Sequence, residues 1–160
     1  MSDLTVALTV ATALGCGIMS GLFFTFSTFV MRALEDVPAP AGVAAMQAIN
    51  LRVINPWFMV VFLGTAVTSV ATIVIAIANL GDSYAPFLIA GGVLYLVGSI
   101  AVTMGGNQPR NLALGELDPQ APETARFWTR YLVEWNRLNH VRTLACVIAT
   151  GLEIGALIAG

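Results

Sequence analysis

Four long apolar runs set the strongest limit on how this chain folds. They occupy residues 4–31, 56–79, 86–104 and 138–160. About 20 mostly apolar residues in a helix cross the roughly 30 Å hydrocarbon core of a membrane, so each run predicts a membrane-spanning helix. With 58% hydrophobic and 10% charged residues, the chain lacks the polar surface of a soluble domain. We therefore predict an all-α fold, in which residues 1–160 form a single four-transmembrane-helix bundle.

The connections between the runs differ in length and character. Residues 80–85 predict a tight turn. After Pro40, a segment with one apolar face predicts a short helix between the first two runs, and we expect it to lie at the membrane interface. No helix breaker separates Glu123 from Gly160. The fourth helix is therefore expected to extend beyond the bilayer at its N-terminal side.

The basic residues predict the orientation of the bundle. All of them fall between the first and second runs, or between the third run and the start of the fourth: Arg32, Arg52, Arg110, Arg126, Arg130, Arg137 and Arg142. Because arginines concentrate on the cytoplasmic side, we expect the two long connections in the cytoplasm and both termini outside the cell (inner) membrane. A net charge of −2 without any lysine argues against nucleic-acid binding.

Polar residues concentrate at the same end of the predicted bundle as the arginines. Helical spacing places Trp135, Asn139, Arg142 and Cys146 on one face of the fourth helix, and His140 on the adjacent stripe. Ionisable side chains at membrane depth are costly, so they are functional candidates by default.

Several of these side chains also have a purely structural interpretation. Arg142 at the start of a membrane span would snorkel to the interface. Asn55 before Pro56 is typical of a helix N-cap. The three tryptophans would anchor the bundle at the interfaces: Trp57, Trp128 and Trp135.

The histidine and the two cysteines argue against a metal site, and Glu153 has a simple structural explanation. A single histidine cannot supply bis-histidine haem ligation, and Cys16 and Cys146 both lie within apolar runs, so no metal site is predicted. Packing is the default role of both cysteines. We expect Glu153, close to the C-terminus, to snorkel to the outer interface.

Five short segments resemble the DUF1772 family of membrane proteins. They are residues 21–27 (GLFFTFS), 46–50 (MQAIN), 55–58 (NPWF), 107–114 (NQPRNLAL) and 135–143 (WNRLNHVRT). The N-x-P-x-N element of that family is present as Asn107, Pro109 and Asn111. The resemblance extends over nearly the whole chain.

The resemblance implies a function, because this family includes the anthrone oxygenases. These convert an anthrone to an anthraquinone with molecular oxygen, without an evident metal or organic cofactor. The implied activity is a membrane-embedded oxygenase of a small lipophilic or aromatic substrate. The expected catalytic residues are His140, Arg142, Asn111 and Asn139, and the expected substrate-binding residues are Trp135, Phe24, Asn107 and Asn50. His140 would act as the base, and Arg142 would help to stabilise the enolate.

Two other classes of function stay open at this point. The chain could be a non-enzymatic small subunit of a membrane assembly, since small residues on its first and third helices favour close packing. It could also be an oligomeric small-molecule transporter with Glu153 as the proton-coupled site. A homo-oligomer is compatible with all three. An enzyme predicts a closed pocket bordered by Asn111, Asn139, His140 and Arg142.

Overall fold

The computed structural model describes residues 1–160, and its secondary structure consists of helices alone. The first rod joins α1 (Asp3–Thr25), a π-helical segment (Phe26–Val30) and α2 (Met31–Asp36), and is followed by the separate helices α3 (Ala39–Val53) and α4 (Pro56–Ala78). The third rod joins α5 (Ala85–Tyr95), two π-helical segments (Leu96–Ala101 and Thr103–Asn107) and α6 (Gln108–Gly115). The last helix is α7 (Pro122–Ala159).

Four helical rods are long and apolar enough to cross a membrane. They are the first rod, α4 as the second, the third rod, and α7 as the fourth. This confirms the predicted all-α, four-helix architecture. The third rod continues past the predicted span to Gly115, so only residues 116–121 connect it to α7. The predicted long fourth helix is also confirmed, because α7 runs for 38 residues without a break. At 1.5 Å per residue it is about 57 Å long.

The start of α4 shows why the chain forms a helix at that point. The Asn55 side-chain oxygen accepts hydrogen bonds from the backbone N–H groups of Trp57 and Phe58, each at 3.1 Å. Pro56 follows at the first helical position, where no N–H is needed. The predicted N-cap is therefore confirmed. Trp57 is 84% exposed here, as expected of an interfacial anchor, whereas Trp128 and Trp135 are buried.

Both chain termini lie at the same end of the bundle. The N-terminal ammonium of Met1 donates to the Gly160 carbonyl at 3.5 Å, and the Ser83 hydroxyl donates to the Ala159 carbonyl at 2.6 Å. We call this the terminal end, which also holds the turn before α5. The opposite end holds α2, α3, α6 and residues 122–142 of α7, and with them every arginine. We call it the arginine end.

Helix α3 packs against the other elements of the arginine end. Its buried Met46 belongs to an apolar cluster that includes Leu114 of α6 and Trp128 of α7. Gln47 fixes the same interface, because its side-chain nitrogen donates to the carbonyls of Leu114 and Leu117, both at 2.9 Å. The short helix was predicted correctly. Its position at a membrane interface stays a prediction.

Helices α1 and α4 approach each other closely at Gly15. A Cβ atom at this position would overlap the Thr65 hydroxyl and lie 3.0 Å from the Thr65 Cβ. The hydroxyl cannot easily move away, because it donates to the Val61 carbonyl at 2.6 Å. We expect Gly15→Ala to destabilise the bundle by about 1–3 kcal/mol, since the two backbones must separate. The check is a lower melting temperature in detergent.

Gly21→Ala is the matched control on the same helix. Nothing lies within 4 Å of its Cβ position, so the gain in helix propensity should leave the melting temperature equal or higher. Equal melting of the two variants would contradict this account of the α1–α4 packing.

Candidate functional site

Two π-helical segments lie beside the polar face of α7. In such a segment the backbone hydrogen bonds span five residues, so the helix bulges locally. Ser27 lies in the segment Phe26–Val30, and its hydroxyl is 2.8 Å from the Asn139 side-chain nitrogen. Thr103 begins the segment Thr103–Asn107, and its hydroxyl is 3.2 Å from Arg142. The two bulges thus bring hydroxyl groups from the first and third rods to α7.

Arg142 is held inside the bundle by hydrogen bonds and aromatic rings. Its Nη2 donates to Asn139 Oδ1 at 2.7 Å, and its Nη1 donates to Thr103 Oγ1 at 3.2 Å. The guanidinium carbon lies 4.2 Å from the ring centre of Phe23 and 5.1 Å from that of Trp135. Both contacts are close enough for a cation–π interaction. Only 5% of Arg142 is exposed, so the alternative of snorkelling to the interface is wrong.

No carboxylate neutralises the Arg142 guanidinium. The ion pairs of the chain are Arg110 with Glu134 at 3.0 Å and Arg130 with Glu134 at 3.8 Å. The buried Nε of Arg142 has no hydrogen-bond partner in the protein. A buried charge without a partner costs free energy that a purely structural residue would avoid. Arg142 is therefore suited to bind an anion.

Asn139 joins Arg142 to the first rod. Its side-chain nitrogen donates to the Phe23 carbonyl at 2.7 Å and to the Ser27 hydroxyl at 2.8 Å, while its oxygen accepts from Arg142. The Ser27 hydroxyl also lies 3.0 Å from that of Thr143. Asn139 is fully buried and positions the guanidinium.

The two asparagines of the N-x-P-x-N element bind α7 to the third rod. Asn111 Oδ1 accepts from Trp135 Nε1 and from the Tyr131 hydroxyl, both at 2.8 Å. Asn107 donates from its side-chain nitrogen to the Trp135 carbonyl at 3.1 Å. These bonds fix the Trp135 ring beside Arg142.

A cavity of about 90 Å³ lies next to Arg142 and Trp135. Its apolar walls include Phe23 and Phe26 of the first rod and Phe58 of α4. Mostly apolar walls with a few polar groups at fixed positions are typical of small-molecule sites. We call this space the aromatic cavity.

The aromatic cavity adjoins a second space between α3 and α6. This second cavity has a volume of about 310 Å³ and is more polar. Four residues line both spaces: Asn50, Ile54, Gln108 and Asn111. The two spaces are therefore neighbours at the arginine end, with Asn50 and Asn111 between them.

A comparison with known protein families identifies the chain. The match is to the anthrone oxygenase family, over residues 56–152. The chain belongs to this family. Neither a curated protein nor a solved structure matches it. The matched range contains Asn107, Asn111, Trp135, Asn139 and Arg142, and thus most of the polar network of this anthrone oxygenase family member.

The structure brings together some of the residues that the sequence singled out. Arg142, Asn111, Trp135 and Asn50 all line the aromatic cavity. Asn107 and Asn139 are buried behind its walls and hold Trp135 and Arg142 in place.

Two of the predicted site residues lie elsewhere. Phe24 is 56% exposed on α1 and does not line the cavity. His140 is exposed and lines a separate surface pocket with Arg32 and Arg137. It is two residues before Arg142, which is about 200° around a helix, so the two side chains point in different directions. The expected pocket bordered by both residues is not formed, because His140 does not line the aromatic cavity.

Sequence reasoning missed three contributors to this site. Phe23 packs on the guanidinium, and Ser27 and Thr103 bond to Asn139 and Arg142. The sequence shows that Ser27 and Thr103 lie in apolar runs. A regular 3.6-residue period, however, does not predict the direction in which side chains of a π-helical segment point. No sequence signal available here places the π-helical segments.

Proposed function

We propose that this chain is an oxidoreductase, a membrane oxygenase that converts an anthrone-like lipophilic aromatic compound to the quinone with molecular oxygen. The observation that carries the proposal is the buried Arg142, which has no counter-ion and faces an aromatic cavity. Membership of the anthrone oxygenase family supports the same chemistry. No metal or organic cofactor is part of the proposed reaction.

Arg142 would act on the ionised substrate. Loss of a proton from the methylene carbon of an anthrone gives an enolate whose charge rests largely on oxygen. The Arg142 guanidinium, which lines the aromatic cavity, would donate to that oxygen, and the Thr103 and Asn139 bonds hold it in place beforehand. Donors fixed in advance in a site with little water stabilise such charge most strongly.

The reaction balances with oxygen as the only oxidant. The enolate gives one electron to oxygen, and the resulting substrate radical and superoxide combine to form a carbon–oxygen bond. The peroxide takes up a proton. Loss of the second proton from the same carbon then breaks the oxygen–oxygen bond, leaves a carbonyl group and releases water. Overall the methylene carbon loses two hydrogens and gains one oxygen atom.

The walls of the aromatic cavity include no carboxylate or imidazole group. In the proposed mechanism, Arg142 makes the substrate a stronger acid, and water at the opening between α3 and α6 accepts its proton. Removal of a true general base costs about 10²–10⁴-fold in rate. We therefore expect His140→Ala to lower turnover by less than about twofold. Steady-state oxygen uptake measures this, and a loss of about 10²-fold would place His140 in the mechanism after all.

The alternative of a non-enzymatic subunit fits the site less well. In a subunit without a binding site, we would expect polar groups that bond only to one another or to backbone, without a cavity. Instead, Arg142 Nε and the Asn50 side-chain nitrogen are buried without partners, and both residues line the cavity.

The proposal includes an orientation. Both termini lie at one end and all arginines lie at the other, so we place the arginine end in the cytoplasm and both termini outside the cell membrane. The proposed partners are the bilayer and a lipophilic substrate that enters between α3 and α6. Nothing in the proposed site needs a second copy of the chain.

A negative charge at Thr103 tests the proposed anion site. Thr103→Asp would place a carboxylate beside Arg142 Nη1, where it competes with the substrate oxyanion. Opposite charges at about 4 Å near a protein surface interact by about 4 kcal/mol, so we expect turnover to fall by at least about tenfold. Thr103→Asn is the neutral control and should keep most of the activity. An equal loss of turnover in both variants would mean that disturbed packing, and not the added negative charge, causes the loss.

The function itself is tested with the purified protein in lipid nanodiscs and anthrone as substrate. Oxygen uptake and quinone absorbance should rise together, with one quinone formed for each oxygen molecule consumed. Empty nanodiscs give the rate of spontaneous oxidation. A folded protein that gives no rate above this background would contradict the proposed oxygenase activity.

A further inference from the structure

Glu153 is a carboxylic acid inside the terminal half of the bundle, well apart from the aromatic cavity. Its side chain is completely buried, and neither carboxyl oxygen has a hydrogen-bond partner. The expectation that Glu153 would snorkel to the outer interface is therefore wrong. The side chain turns inward because α5 leaves room for it. A Cβ atom at Gly91 would lie only 2.8 Å from Glu153 Oε1.

No cation lies near this carboxyl group. On its own helix the nearest arginine is Arg142, three turns before Glu153 and thus about 16 Å away along the axis. The N-terminal ammonium of Met1 is exposed and bonded to Gly160. The titratable side chains that face this part of the core are Cys16 of α1, Tyr95 of α5 and Cys146 of α7, and α4 has none. An isolated ionised carboxylate is very costly in such a place, so the neutral acid is favoured.

Two rows of buried hydroxyl groups lie in the same half of the bundle. Thr5, Thr9 and Thr12 are buried on α1, and Thr65, Ser69 and Thr72 are buried on α4. Each row has the spacing i, i+4 and i+7, which places its members on one helix face. We call these two rows the hydroxyl ladders.

Close contacts between the helices show that the ladders lie level with Glu153. Helices α1 and α4 run in opposite directions, and Gly15 lies against Thr65, so Thr12 falls near the level of Ser69. On α5, a Cβ atom at Gly92 would lie 3.0 Å from the Ser69 carbonyl oxygen, while the neighbouring Gly91 faces Glu153. One layer of the core thus receives polar groups from α1, α4 and α7.

Ordinary packing explains only part of this polarity. The hydroxyls of Thr9, Thr12 and Thr72 donate to carbonyls of their own helices at 2.7, 2.8 and 3.0 Å, as threonines in membrane helices commonly do. Their oxygens still have lone pairs that can accept a further hydrogen bond. The Ser69 hydroxyl and both Glu153 oxygens are buried without any partner. If the threonines and Ser69 served only to let the helices pack closely, the core would have no need of the Glu153 carboxyl group beside them.

We propose that Glu153 is a proton-binding site in the membrane-spanning core and exchanges its proton with water at the terminal end along the hydroxyl ladders. The ligand is the proton, and the resting form is the neutral acid. The ladder on α1 ends near the surface at Thr5, which bonds to Ser2 at 2.8 Å. This site does not rest on the proposed oxygenase activity. A buried carboxylic acid is also compatible with the transporter alternative, in which Glu153 is the proton-coupled site.

Infrared spectroscopy of the full chain in nanodiscs tests the proposal. At neutral pH, wild-type protein should show the C=O stretch of a protonated carboxylic acid, and Glu153→Gln should remove it. Glu116→Gln is the matched control, because Glu116 is exposed in the loop before α7 and should leave the band unchanged. The nanodiscs are made of ether-linked lipids, because the ester carbonyls of ordinary lipids absorb in the same region. If Glu153→Gln does not fold, wild-type protein alone decides, since a carboxylic-acid band at neutral pH in these samples comes from a group shielded from water. Absence of that band would overturn the proposal.

The exchange route and the choice of ligand are tested in the same samples. After transfer to heavy water, the band should shift as the acid exchanges its proton, and Thr9→Val with Thr72→Val should slow this shift at least severalfold. An unchanged exchange rate would overturn the ladder route. Loss of the band on addition of sodium at constant pH would overturn the assignment of the proton and indicate a metal-cation site.

Discussion

Arg142→Gln is expected to lower the turnover of an anthrone by about 10²–10³-fold, which is the usual cost of removing one fixed donor to a developing oxyanion. The glutamine amide can still bond to Asn139, but it is neutral and shorter. The charge that would stabilise the enolate is lost, while the cavity walls remain. Oxygen uptake and quinone formation in nanodiscs measure the loss.

The stability of the same variant separates a functional role from a structural one. Because the guanidinium is buried without a counter-ion, removing its charge should leave the melting temperature unchanged or raise it. Arg142→Lys should not restore activity, since an ammonium group cannot make the same forked set of hydrogen bonds. Arg137→Gln is the control, as Arg137 is exposed. Activity of Arg142→Gln within a few-fold of wild type would remove Arg142 from the mechanism.

Asn139→Leu should give the second large effect, this time on stability. The leucine would remove three hydrogen bonds of Asn139, those to the Phe23 carbonyl, the Ser27 hydroxyl and Arg142 Nη2. A hydrogen bond contributes about 0.5–1.5 kcal/mol, and one to a charged group about 1.5–3 kcal/mol, so we expect a loss of about 2 kcal/mol or more. Thermal unfolding in detergent, followed by circular dichroism, measures the loss.

Asn136→Leu on the same helix is the comparison for this result. The Asn136 side-chain oxygen is buried without a partner, so its removal breaks no hydrogen bond of that atom. We expect a smaller change in the melting temperature than for Asn139→Leu. If both variants melt alike, Asn139 does not have the joining role that its hydrogen bonds indicate.

The parts of this fold that follow a regular period could be predicted from the sequence. The apolar runs showed four membrane-length helices, and Trp135, Asn139, Arg142 and Cys146 share one face of α7 as predicted. The structure adds that this face is buried. Helical periodicity was enough because α7 is an unbroken helix. The same periodicity placed His140 on the stripe next to this face. In the structure that stripe points away from the aromatic cavity, so His140 does not line it.

The contributions of the other rods could not be predicted in this way. Ser27 and Thr103 reach Asn139 and Arg142 from π-helical segments, where the backbone departs from the regular period. Glu153 turns inward because Gly91 on a different helix leaves it space. Both outcomes depend on contacts between helices that are distant in the sequence.

The most direct test of the account is the absorption spectrum of bound anthrone in the absence of oxygen, where the reaction cannot proceed. The account predicts that wild-type protein in nanodiscs shows the enolate spectrum at a pH at which free anthrone is neutral. Arg142→Gln should bind anthrone but show only the neutral spectrum. If wild-type protein binds anthrone and shows no enolate, or if both proteins show it equally, Arg142 does not stabilise the ionised substrate and the central claim is wrong.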